Sequence, residues 1–436
     1  MRLMAADVAK ATNGILVGQN AHLSGVSFDS RSVRPGQLFV PITAERDGHE
    51  FIEAALEAGA GAYLTTGKTF GRTSITVPDT LLALLQLGTW GRNKLDAQLA
   101  NRVVGITGSV GKTSTKDFVA AALGSALRVT ANERSFNNDQ GLPVTILNAK
   151  DDVQALVLEM GMRGFGEIAR LCAVAKPHIG VVTKVASAHT GRVGDLDGVA
   201  RAKSEIVMAL DASGFAILNA DDDRVVAMQS LTSARVITYG VAPTADVRMT
   251  SCVLDERACA SVTVESPWGK ASWKMNVPGE HMAHNAVGAI AVAGIVGLDL
   301  QLAADAISTS ILSEMRMQHR IGRSGALIID DSYNANPASI AAALHALNAT
   351  NASRRIAVLG VMAELSEPER DHLQISRLAK QLGIEIIAVE TDMYEVQSQT
   401  RDEVVAMLSA VEKTAVILIK GSRVAQLEKL VSLLIN

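Results

Sequence analysis

A phosphate-binding loop is the most specific chemical signal in the sequence. Residues 103–117 read VVGITGSVGKTSTKD, in which an apolar run leads into a glycine-rich turn and then into a helical pattern. The glycines let backbone N–H groups close around phosphate oxygens, and Lys112 adds a positive charge beside the β- and γ-phosphates. The hydroxyl of Thr113 can bind Mg²⁺. The predicted nucleotide contacts are Gly108, Ser109, Val110, Gly111, Lys112, Thr113 and Ser114.

The loop departs from the common pattern at one position. A glycine usually stands six residues before the lysine, whereas this chain has Ile106 there. The alternative is a glycine-rich turn that joins a strand to a helix and binds nothing. Because the strand, the Gly-Lys-Thr string and the helix coincide, we predict a nucleotide site.

Two acidic residues stand at the ends of apolar, strand-like runs. Glu159 ends the run ALVLE, and Asp331 closes the run ALIIDD. In open α/β sheets, ligands bind outside the carboxyl ends of the parallel strands, so we expect both carboxylates to face a ligand crevice. For Glu159 the alternative is a charge placed at the N-terminus of the helix that follows it.

Several weaker candidates carry a polar group without a diagnostic spacing. A lone histidine such as His189 is usually structural or solvated, and a lysine such as Lys203 is usually exposed. Arg31 offers a planar fork that suits a pyrophosphate. Asn137 and Asn138 offer side-chain amides, although such pairs are often plain loops.

These candidates require an α/β scaffold. Between about residues 102 and 240, short apolar runs alternate with helical segments, which indicates a parallel sheet covered on both faces. Three β-rich runs within 246–277 break this alternation and predict antiparallel strands. We predict a small N-terminal α/β domain, a central P-loop parallel-sheet ATPase domain and a Rossmann-like C-terminal domain, at residues 1–83, 84–312 and 313–436.

Composition excludes several other classes of protein. The 436-residue chain is 48% apolar and 20% charged, so it can bury a large core and is not a disordered chain. A net charge of −4 and 3% aromatic residues give no reason to expect nucleic acid or a membrane as partner. The apolar stretch 286–298 is too short to span a bilayer and predicts a buried helix. Three separated cysteines and an N-terminus unlike a signal peptide predict a cytoplasmic protein.

The chain resembles the Mur ligases, the ATP-dependent enzymes that add amino acids to the peptidoglycan precursor. The TGSVGKTS loop carries the resemblance, which extends over nearly the whole chain in family order. The other matching strings include FDSRSVRPGQLFVPI, DGHEFIEAALEAGA, SFNNDQGLP, KPHIGVVTKVASAH, ARAKSEI and KGSR. The EMGM, YNANP and LGVMAEL strings are similar to those of the family member that adds D-alanyl-D-alanine.

The resemblance implies a set of metal ligands. It makes Glu159 a Mg²⁺ ligand beside Thr113, and it brings His189 to a second Mg²⁺. It also implies that Lys203 reacts with CO₂, since the matching family lysine is a carbamate that contacts metal. A carbamate turns a cation into a carboxylate-like ligand and requires a neutral amine, which burial favours. One departure is Gly191, where many family members carry an acidic residue.

The resemblance also implies nucleotide and substrate contacts. In the GEHMAHN string, His281 and Asn285 match adenosine-binding positions, whereas Met282 replaces an asparagine. Arg316 and Asp331 match residues near the phosphates and the ribose. The implied substrate contacts are Ser30 and Arg31 for the uridine diphosphate, and Asn137, Asn138, Asn334 and Asn336 for the peptide parts. For Asn334 and Asn336 the alternative is turn chemistry before Pro337.

The implied function is an amide-bond ligase with ATP and Mg²⁺ as cofactors. ATP would phosphorylate the carboxylate of UDP-N-acetylmuramoyl-tripeptide, and the amine of D-alanyl-D-alanine would displace phosphate from the acyl phosphate. Lys112, Lys203 and His189 are the expected catalytic residues, and we expect a monomer. Two alternatives remain: another ligase of the Mur and folylpolyglutamate synthetase superfamily, and a P-loop regulator without ligase chemistry.

Overall fold

The structure is a computed structural model that describes residues 1–133, 136–187 and 193–435. In these residues, the three larger sheets follow one another along the chain, within residues 15–76, 103–278 and 318–420. A two-stranded ribbon accompanies the first of them. No helix in the described ranges is long and apolar enough to cross a membrane.

The N-terminal part is a mixed sheet with short strands. The described strands pair in the order β2-β7-β6-β5-β4, and β1 pairs antiparallel with β3. Strands β4, β5 and β6 lie within the β-rich runs VSFDS, QLFVPI and AYLTT. The elements are β1 (Leu3–Met4), α1 (Ala5–Ala11), β2 (Ile15–Val17), β3 (His22–Leu23), β4 (Val26–Ser27), β5 (Leu38–Phe39), α2 (Ile52–Glu57), β6 (Ala62–Thr65) and β7 (Ser74–Thr76).

The central part carries the largest sheet. Its helices and strands, as described, are α3 (Thr80–Lys94), α4 (Asp96–Leu99), β8 (Val103–Thr107), α5 (Lys112–Gly124), β9 (Val129–Ala131), α6 (Gly141–Leu147), β10 (Ala155–Glu159), α7 (Glu167–Ala175), β11 (Ile179–Val182), α8 (Leu196–Met208), β12 (Phe215–Asn219), α9 (Asp223–Val226), β13 (Arg235–Gly240), β14 (Val247–Leu254), β15 (Cys259–Ser266), β16 (Gly269–Pro278), α10 (Glu280–Val296) and α11 (Leu300–Ser308).

Most of the central sheet is parallel, as the alternation of strands and helices predicts. In the described residues its order is β16-β15-β14-β13-β12-β11-β8-β10-β9. The strands from β9 to β14 pair in parallel, while β14, β15 and β16 pair antiparallel. The predicted antiparallel strands therefore extend the same sheet. Strand β8, which leads into the phosphate loop, lies between β10 and β11 in the middle of the parallel part.

The C-terminal part is a second α/β unit. Its sheet order in the described chain is β17-β18-β22-β19-β20-β21, parallel except for β17. The elements are β17 (Gln318–Ile321), β18 (Leu327–Asp330), α12 (Pro337–Asn348), β19 (Arg355–Leu359), α13 (Pro368–Gln381), β20 (Glu385–Val389), β21 (Ser398–Gln399), α14 (Arg401–Ser409), β22 (Val416–Lys420) and α15 (Leu427–Ile435).

Sequence analysis missed the helix α14 and the edge strand β17. Thr400 and Glu403 form a capping box at the start of α14, and this Thr-x-x-Glu signal is visible in the sequence. The β17 residues QHRI lack an apolar alternation, and the strand is partly exposed at the sheet edge. The expectation of an α/β fold is confirmed.

The apolar stretch at 286–298 forms a buried helix, as predicted. Helix α10 buries nearly every side chain from Met282 to Gly294, and it packs against α5 and the strands β13 and β14. Its alanines and glycines allow close approach to these neighbours. The helix that follows the phosphate loop is thereby fixed between the sheet and α10.

Helix α3 fastens the N-terminal part to the central part. It packs against α1 on one side and against α6 and α7 on the other. A Cβ atom at Gly88 would lie 2.7 Å from Cβ and 3.1 Å from Cα of Pro143 on α6. Asn148, just after α6, adds a second attachment by bonding both the N–H and the C=O of Val26 on β4. The domain boundaries stay predictions, and α3 runs across the one at residue 83.

We predict opposite effects for two glycine-to-alanine changes in helices. Gly88→Ala should lower the free energy of unfolding by about 1–2 kcal/mol, because overpacking against Pro143 exceeds the gain in helix propensity. Gly124→Ala at the exposed end of α5 should raise it by about 0.5–1 kcal/mol, because nothing lies within 4 Å of the new Cβ. Urea unfolding of both variants measures the difference, and a Gly88→Ala protein as stable as Gly124→Ala would contradict the close helix crossing.

Candidate active site

The phosphate loop lies at the carboxyl end of the central parallel strands. The N–H of Ser109 donates to the carbonyl of Lys184 at 2.7 Å, which holds the loop against the segment after β11. Two glycines are required by close contacts. A Cβ at Gly108 would lie 1.9 Å from Oγ1 of Thr183, and one at Gly111, where φ is 84°, would lie 2.6 Å from Oδ1 of Asn285. The strand, loop and helix are thus arranged as the sequence predicts.

A cleft of about 470 Å³ opens in front of this loop. Its walls come from both the central and the C-terminal parts of the chain. Central residues in the walls include Leu81, Ser109–Ser114, Asn137–Gln140, Glu159, Gly161–Arg163, Glu167, Leu171 and Lys203, and C-terminal ones include Arg316, Tyr333–Asn336, Ser339 and Glu364. The cleft therefore brings most of the predicted central and C-terminal site residues together.

Glu159 is the centre of a hydrogen-bonded group of oxygen ligands. It is 2% exposed. Its Oε2 accepts from Oγ1 of Thr113 at 2.8 Å, and its Oε1 accepts from Nδ2 of Asn137 at 2.7 Å. The carboxylate thus faces the phosphate loop. A carboxylate, a hydroxyl and an amide carbonyl in one place are the hard oxygen donors that Mg²⁺ prefers.

Two lysines lie in the same cleft, of which Lys203 is buried and Lys112 is half-buried. Nζ of Lys112 donates to the carbonyl of Gly108 at 2.8 Å, so the amine stays folded back on the loop. Burial lowers the pKa of Lys112, although the nearby Glu159 carboxylate opposes the shift. Lys203, on α8, is 2% exposed, and burial together with the charge of Lys112 holds its pKa well below the usual range. Lys203 is therefore poised to be a neutral amine.

Arg316 reaches across from the C-terminal part to the phosphate loop. Its Nη2 donates to Oγ1 of Thr113 at 3.3 Å, and its guanidinium carbon lies 4.3 Å from the centre of the Tyr333 ring. In the described chain, the buried Nε of Arg316 has no hydrogen-bond partner. The flanking residues Met315 and Met317 have φ values of 59° and 49°, a left-handed backbone that costs non-glycine residues free energy. The segment is held in place by its contacts with the loop.

Asp331 forms a buried ion pair with Lys420. Nζ of Lys420 donates to Oδ2 of Asp331 and, at 3.0 Å, to the carbonyl of Asn334. Burial lowers the pKa of Lys420, and the Asp331 carboxylate opposes that shift. Lys420 ends strand β22, which is paired with β18 just before Asp331. Sequence analysis missed this lysine, although it follows the same rule that selected Asp331: a charged residue at the end of an apolar parallel strand.

Comparison with known proteins assigns the chain to a family. The sequence pattern of the Mur ligase middle domain matches residues 106–293, and that of the Mur ligase, glutamate ligase domain matches residues 315–423. The chain is 39% identical, over 84% of its length and 77% of the relative, to the UDP-N-acetylmuramoyl-tripeptide–D-alanyl-D-alanine ligase of Mycobacterium tuberculosis. The chain belongs to the Mur ligase family. The expectation of an ATP-dependent ligase is thereby confirmed.

Solved structures of MurF enzymes share the whole fold of this Mur ligase. MurF from Acinetobacter baumannii superposes with a TM-score of 0.90 at 27% identity, over 99% of this chain and 98% of that one. MurF from Thermotoga maritima, solved in complex with ADP, gives a TM-score of 0.81 at 25% identity, over 94% of this chain and 96% of that one. The similarity therefore includes the relative arrangement of all three parts of the chain.

The predicted adenosine residues Asn285 and His281 lie on α10, and neither is among the described wall residues of the main cleft. Asn285 is buried on α10 against Gly111. Burial lowers the pKa of His281 to about 4, so the ring is neutral near pH 7. Met282, which replaces an asparagine, is part of the apolar core. His189 and Gly191 lie outside the described residues.

The predicted substrate residues fall into two groups. Asn137 and Asn334 line the cleft, and Asn137 bonds Glu159. The side-chain oxygens of Asn138 and Asn336 accept backbone N–H bonds at the starts of α6 and α12, the turn roles that were their alternatives. Both residues also line the cleft.

The two N-terminal candidates, Ser30 and Arg31, are not among the described wall residues of the main cleft. Arg31 is exposed, and its guanidinium forms two hydrogen bonds with Asp29. A second cleft of about 480 Å³ opens beside this turn, between the N-terminal and central parts, and Asp29, Ser32 and Phe136 are among its lining residues. The uridine diphosphate role of Ser30 and Arg31 stays a prediction.

We predict that breaking the Asp331–Lys420 pair costs more than removing both charges. Lys420→Met leaves the buried Asp331 carboxylate without its cation and should destabilise the protein by about 3–5 kcal/mol. The double variant Asp331→Asn with Lys420→Met should lose less, because no charge is left uncompensated. Urea unfolding of the two single variants and the double variant gives the coupling. Additive losses would show that the two side chains do not interact.

Proposed function

We propose that this Mur ligase joins D-alanyl-D-alanine to UDP-N-acetylmuramoyl-tripeptide at the expense of ATP. The observation that carries the proposal is the single cleft that brings the phosphate loop, Glu159 and Lys203 together with Arg316 and Asn334. The relatives that match most of the chain carry this activity in their names, which supports the same substrates here. We further infer that the enzyme acts in the cytoplasm as a monomer.

Phosphate binding requires rearrangement of a few hydrogen bonds. Lys112 now bonds the carbonyl of Gly108, and its amine can turn from that carbonyl to the β- and γ-phosphates. The N–H groups at the start of α5 point at the same place and favour negative charge. Because Lys112 is half-buried, water screens its attraction to phosphate less than at an exposed site. Apart from this turn of the Lys112 amine, the groups that would bind and orient the phosphates are already in place.

Glu159 and Thr113 would hold a Mg²⁺ ion, with Asn137 beside them. When bound, Mg²⁺ neutralises phosphoryl oxygens and orients them for transfer. Thr113 already shares its hydroxyl between Glu159 and Arg316, so it lies at the point where metal and phosphate would meet. Arg316 provides a fixed fork of N–H donors for charge that develops on the transferring phosphoryl group.

The C-terminal wall is the proposed site of the attacking amine. Asn334, Asn336 and Ser339 line the cleft opposite the phosphate loop, so an amine bound there faces the acyl phosphate. Enclosure between the two parts excludes water from this labile intermediate. No nucleophile from the protein is needed, because the carboxylate, the phosphoryl group and the amine all come from substrates.

A panel of substrates tests the proposal. We expect phosphate release from ATP only when a UDP-muramyl-tripeptide and D-alanyl-D-alanine are both present. Lys112→Ala should lower that rate at least 10²–10³-fold, roughly the loss seen when one transition-state charge contact is removed. Lys150→Ala, a change at an exposed lysine, is the control and should leave the rate unchanged.

Two results of this panel would refute the proposal. Ligation of a single amino acid in place of the dipeptide, or of glutamate to a folate in place of the UDP-muramyl-tripeptide, would assign the chain to another ligase of the superfamily. Slow ATP turnover that neither peptide substrate changes would instead indicate a regulator.

The carbamate on Lys203 stays a proposal with a direct test. Lys203→Ala should be inactive because it lacks the carbamate anion, and formate or acetate should restore part of the activity. Lys203→Arg should be inactive and not rescued, because a guanidinium keeps its charge and cannot be carbamylated. Kinetics of both variants with and without added carboxylate, on proteins whose Tm matches that of the wild type, separate the possibilities.

The control for chemical rescue is Lys112→Ala, because a carboxylate cannot replace a phosphate-binding cation. Partial activity in Lys203→Arg would identify Lys203 as a plain cation. Full activity in both Lys203 variants would show that Lys203 has no role in catalysis.

A further inference from the structure

The loop at residues 360–364 supplies part of the C-terminal wall of the cleft. It connects β19 to the segment before α13, and its last residue, Glu364, lines the cleft. The hydroxyl of Tyr394 donates to the carbonyl of Gly360 at 2.9 Å, and the N–H of Ser422 donates to the carbonyl of Val361 at 2.9 Å. Both bonds are accepted by backbone carbonyls of the 360–364 loop, so they do not depend on the side chains that the loop itself carries.

Ser422 connects the loop to the residues that the proposed function uses. Its Oγ accepts from the N–H of Ala363 at 2.8 Å and donates to the carbonyl of Ala335 at 3.1 Å. Ala335 stands between Asn334 and Asn336 in the cleft wall. A shift of the 360–364 loop would therefore be transmitted to the wall that faces the phosphate loop.

A buried histidine is a further attachment of the loop. His372, on α13, has no exposed surface. Its Nε2 accepts from the N–H of Met362 at 2.9 Å, and its Nδ1 lies 2.6 Å from the carbonyl of Pro368. Because a carbonyl can only accept, the ring proton must be on Nδ1, and Nε2 must be unprotonated. Both ring nitrogens thus take part in hydrogen bonds, and the neutral ring with its proton on Nδ1 satisfies both of them.

A protonated ring cannot make the same contacts. Nε2 would then carry a hydrogen that points at the N–H of Met362. The hydrogen bond between the ring and Met362 would be replaced by repulsion between two donors. Burial lowers the pKa of His372, while the Pro368 carbonyl and the Asp371 carboxylate oppose the shift. The protein thus favours the neutral ring near pH 7, and lowering the pH converts the ring to its protonated form.

Few ionisable groups surround the ring. Helix α13 contributes Asp371, which is buried and paired with Arg370. The segment after β20 contributes Tyr394, whose ring centre is 4.9 Å from that of His372. Burial raises the pKa of this phenol far above neutrality, so it stays uncharged. The loop contributes Glu364.

We propose that His372 is a positioning residue that keeps the 360–364 loop in the wall for the amine substrate, and that it does so only while its ring is neutral. The inference rests on the proposed function, since that function places the amine at this wall. Acid should therefore weaken binding of the amine substrate specifically. ATP binding, on the opposite wall, should be affected little.

Two substitutions separate this role from simple packing. His372→Gln retains a side-chain oxygen that can accept from Met362, but it cannot be protonated near neutral pH. His372→Phe keeps the ring volume beside Tyr394 and loses the acceptor. At pH 7.5 we expect His372→Phe to raise KM for D-alanyl-D-alanine about tenfold, as for one lost buried hydrogen bond. KM for ATP should stay within about twofold, and His372→Gln should stay near the wild type in both constants.

The pH profile is the decisive readout. From pH 7.5 to 5.5, KM for the dipeptide should rise more steeply in the wild type than in His372→Gln. Titration of the dipeptide amine is common to both enzymes and cancels in their ratio. Parallel profiles, or a His372→Phe enzyme with wild-type KM for the dipeptide, would overturn the proposal.

An NMR measurement tests the geometry without relying on ligation. Ring ¹⁵N shifts of His372 in the full-length protein should show a protonated Nδ1 and an unprotonated, accepting Nε2 at pH 7.5. A ring that is cationic or protonated on Nε2 at that pH would contradict the proposal. If the wild type ligates no dipeptide at all, the proposed function has failed and the role in amine binding fails with it. A wild type that ligates normally beside unaffected variants would refute only the role of His372.

Discussion

The hydrogen bond between Thr113 and Glu159 depends on a single constraint: β8 and β10 are parallel neighbours. Glu159 is paired in register with Ile106, the residue just before the last one of β8. The phosphate loop and the carboxylate therefore emerge at the same edge of the sheet, and helix α5 brings Thr113 back over that edge. An antiparallel pairing would have sent the two groups to opposite ends. The rest of the cleft is built around this point, since Asn137 and Arg316 each bond one of the two residues.

Buried positive charge is the main electrostatic feature of the cleft. Lys203 and Lys420 are buried and Lys112 is half-buried, and all three have lowered pKa values. Among the described residues, Lys420 is the one of these three with a direct carboxylate partner. Burying a cation without an anion costs free energy. A buried lysine is therefore stable when an anion binds beside it or when its amine is neutral. Bound phosphates would compensate the charge of Lys112. Lys203 would avoid a buried charge either as a neutral amine or as a carbamate. The same lack of water that makes these lysines costly strengthens their attraction to a phosphoryl group during transfer.

The C-terminal wall is stabilised differently from the phosphate loop. Its loops are fixed by side chains that bond backbone atoms: His372 accepts from the N–H of Met362, Ser422 accepts from the N–H of Ala363, and Lys420 donates to the carbonyl of Asn334. Such contacts set the position of a loop without restricting its exposed side chains. The backbone of the wall is therefore held in place independently of the side chain that the loop presents to the cleft, Glu364. Rigid placement matters here, because the amine and the acyl phosphate come from opposite sides of the cleft.

The sequence by itself determined the elements that follow local rules. The phosphate loop needs only a strand, two glycines, Lys112 and a helix within fifteen residues, and all of these are local in the chain. The parallel strands were visible as short apolar runs, because strands buried on both faces contain little else. Glu159 and Asp331 could be selected because the carboxyl ends of such strands always face the ligand side. Family resemblance extended the list to Lys203, His281 and Arg316, whose surroundings no local pattern describes.

Only the tertiary structure decided which of these residues meet. Lys420 lies 89 residues after Asp331, and Arg316 lies 203 residues after Thr113, so their contacts depend on strand order and on how the two sheets face each other. Burial of Lys203 and the proton position on His372 likewise arise from packing by distant segments. The edge strand β17 was missed because its residues alternate in no clear pattern and its pairing with β18 forms without a buried face. Local sequence sets propensity and chemistry, whereas burial and charge pairing depend on the whole chain, because they are set by neighbours that the sequence does not place side by side.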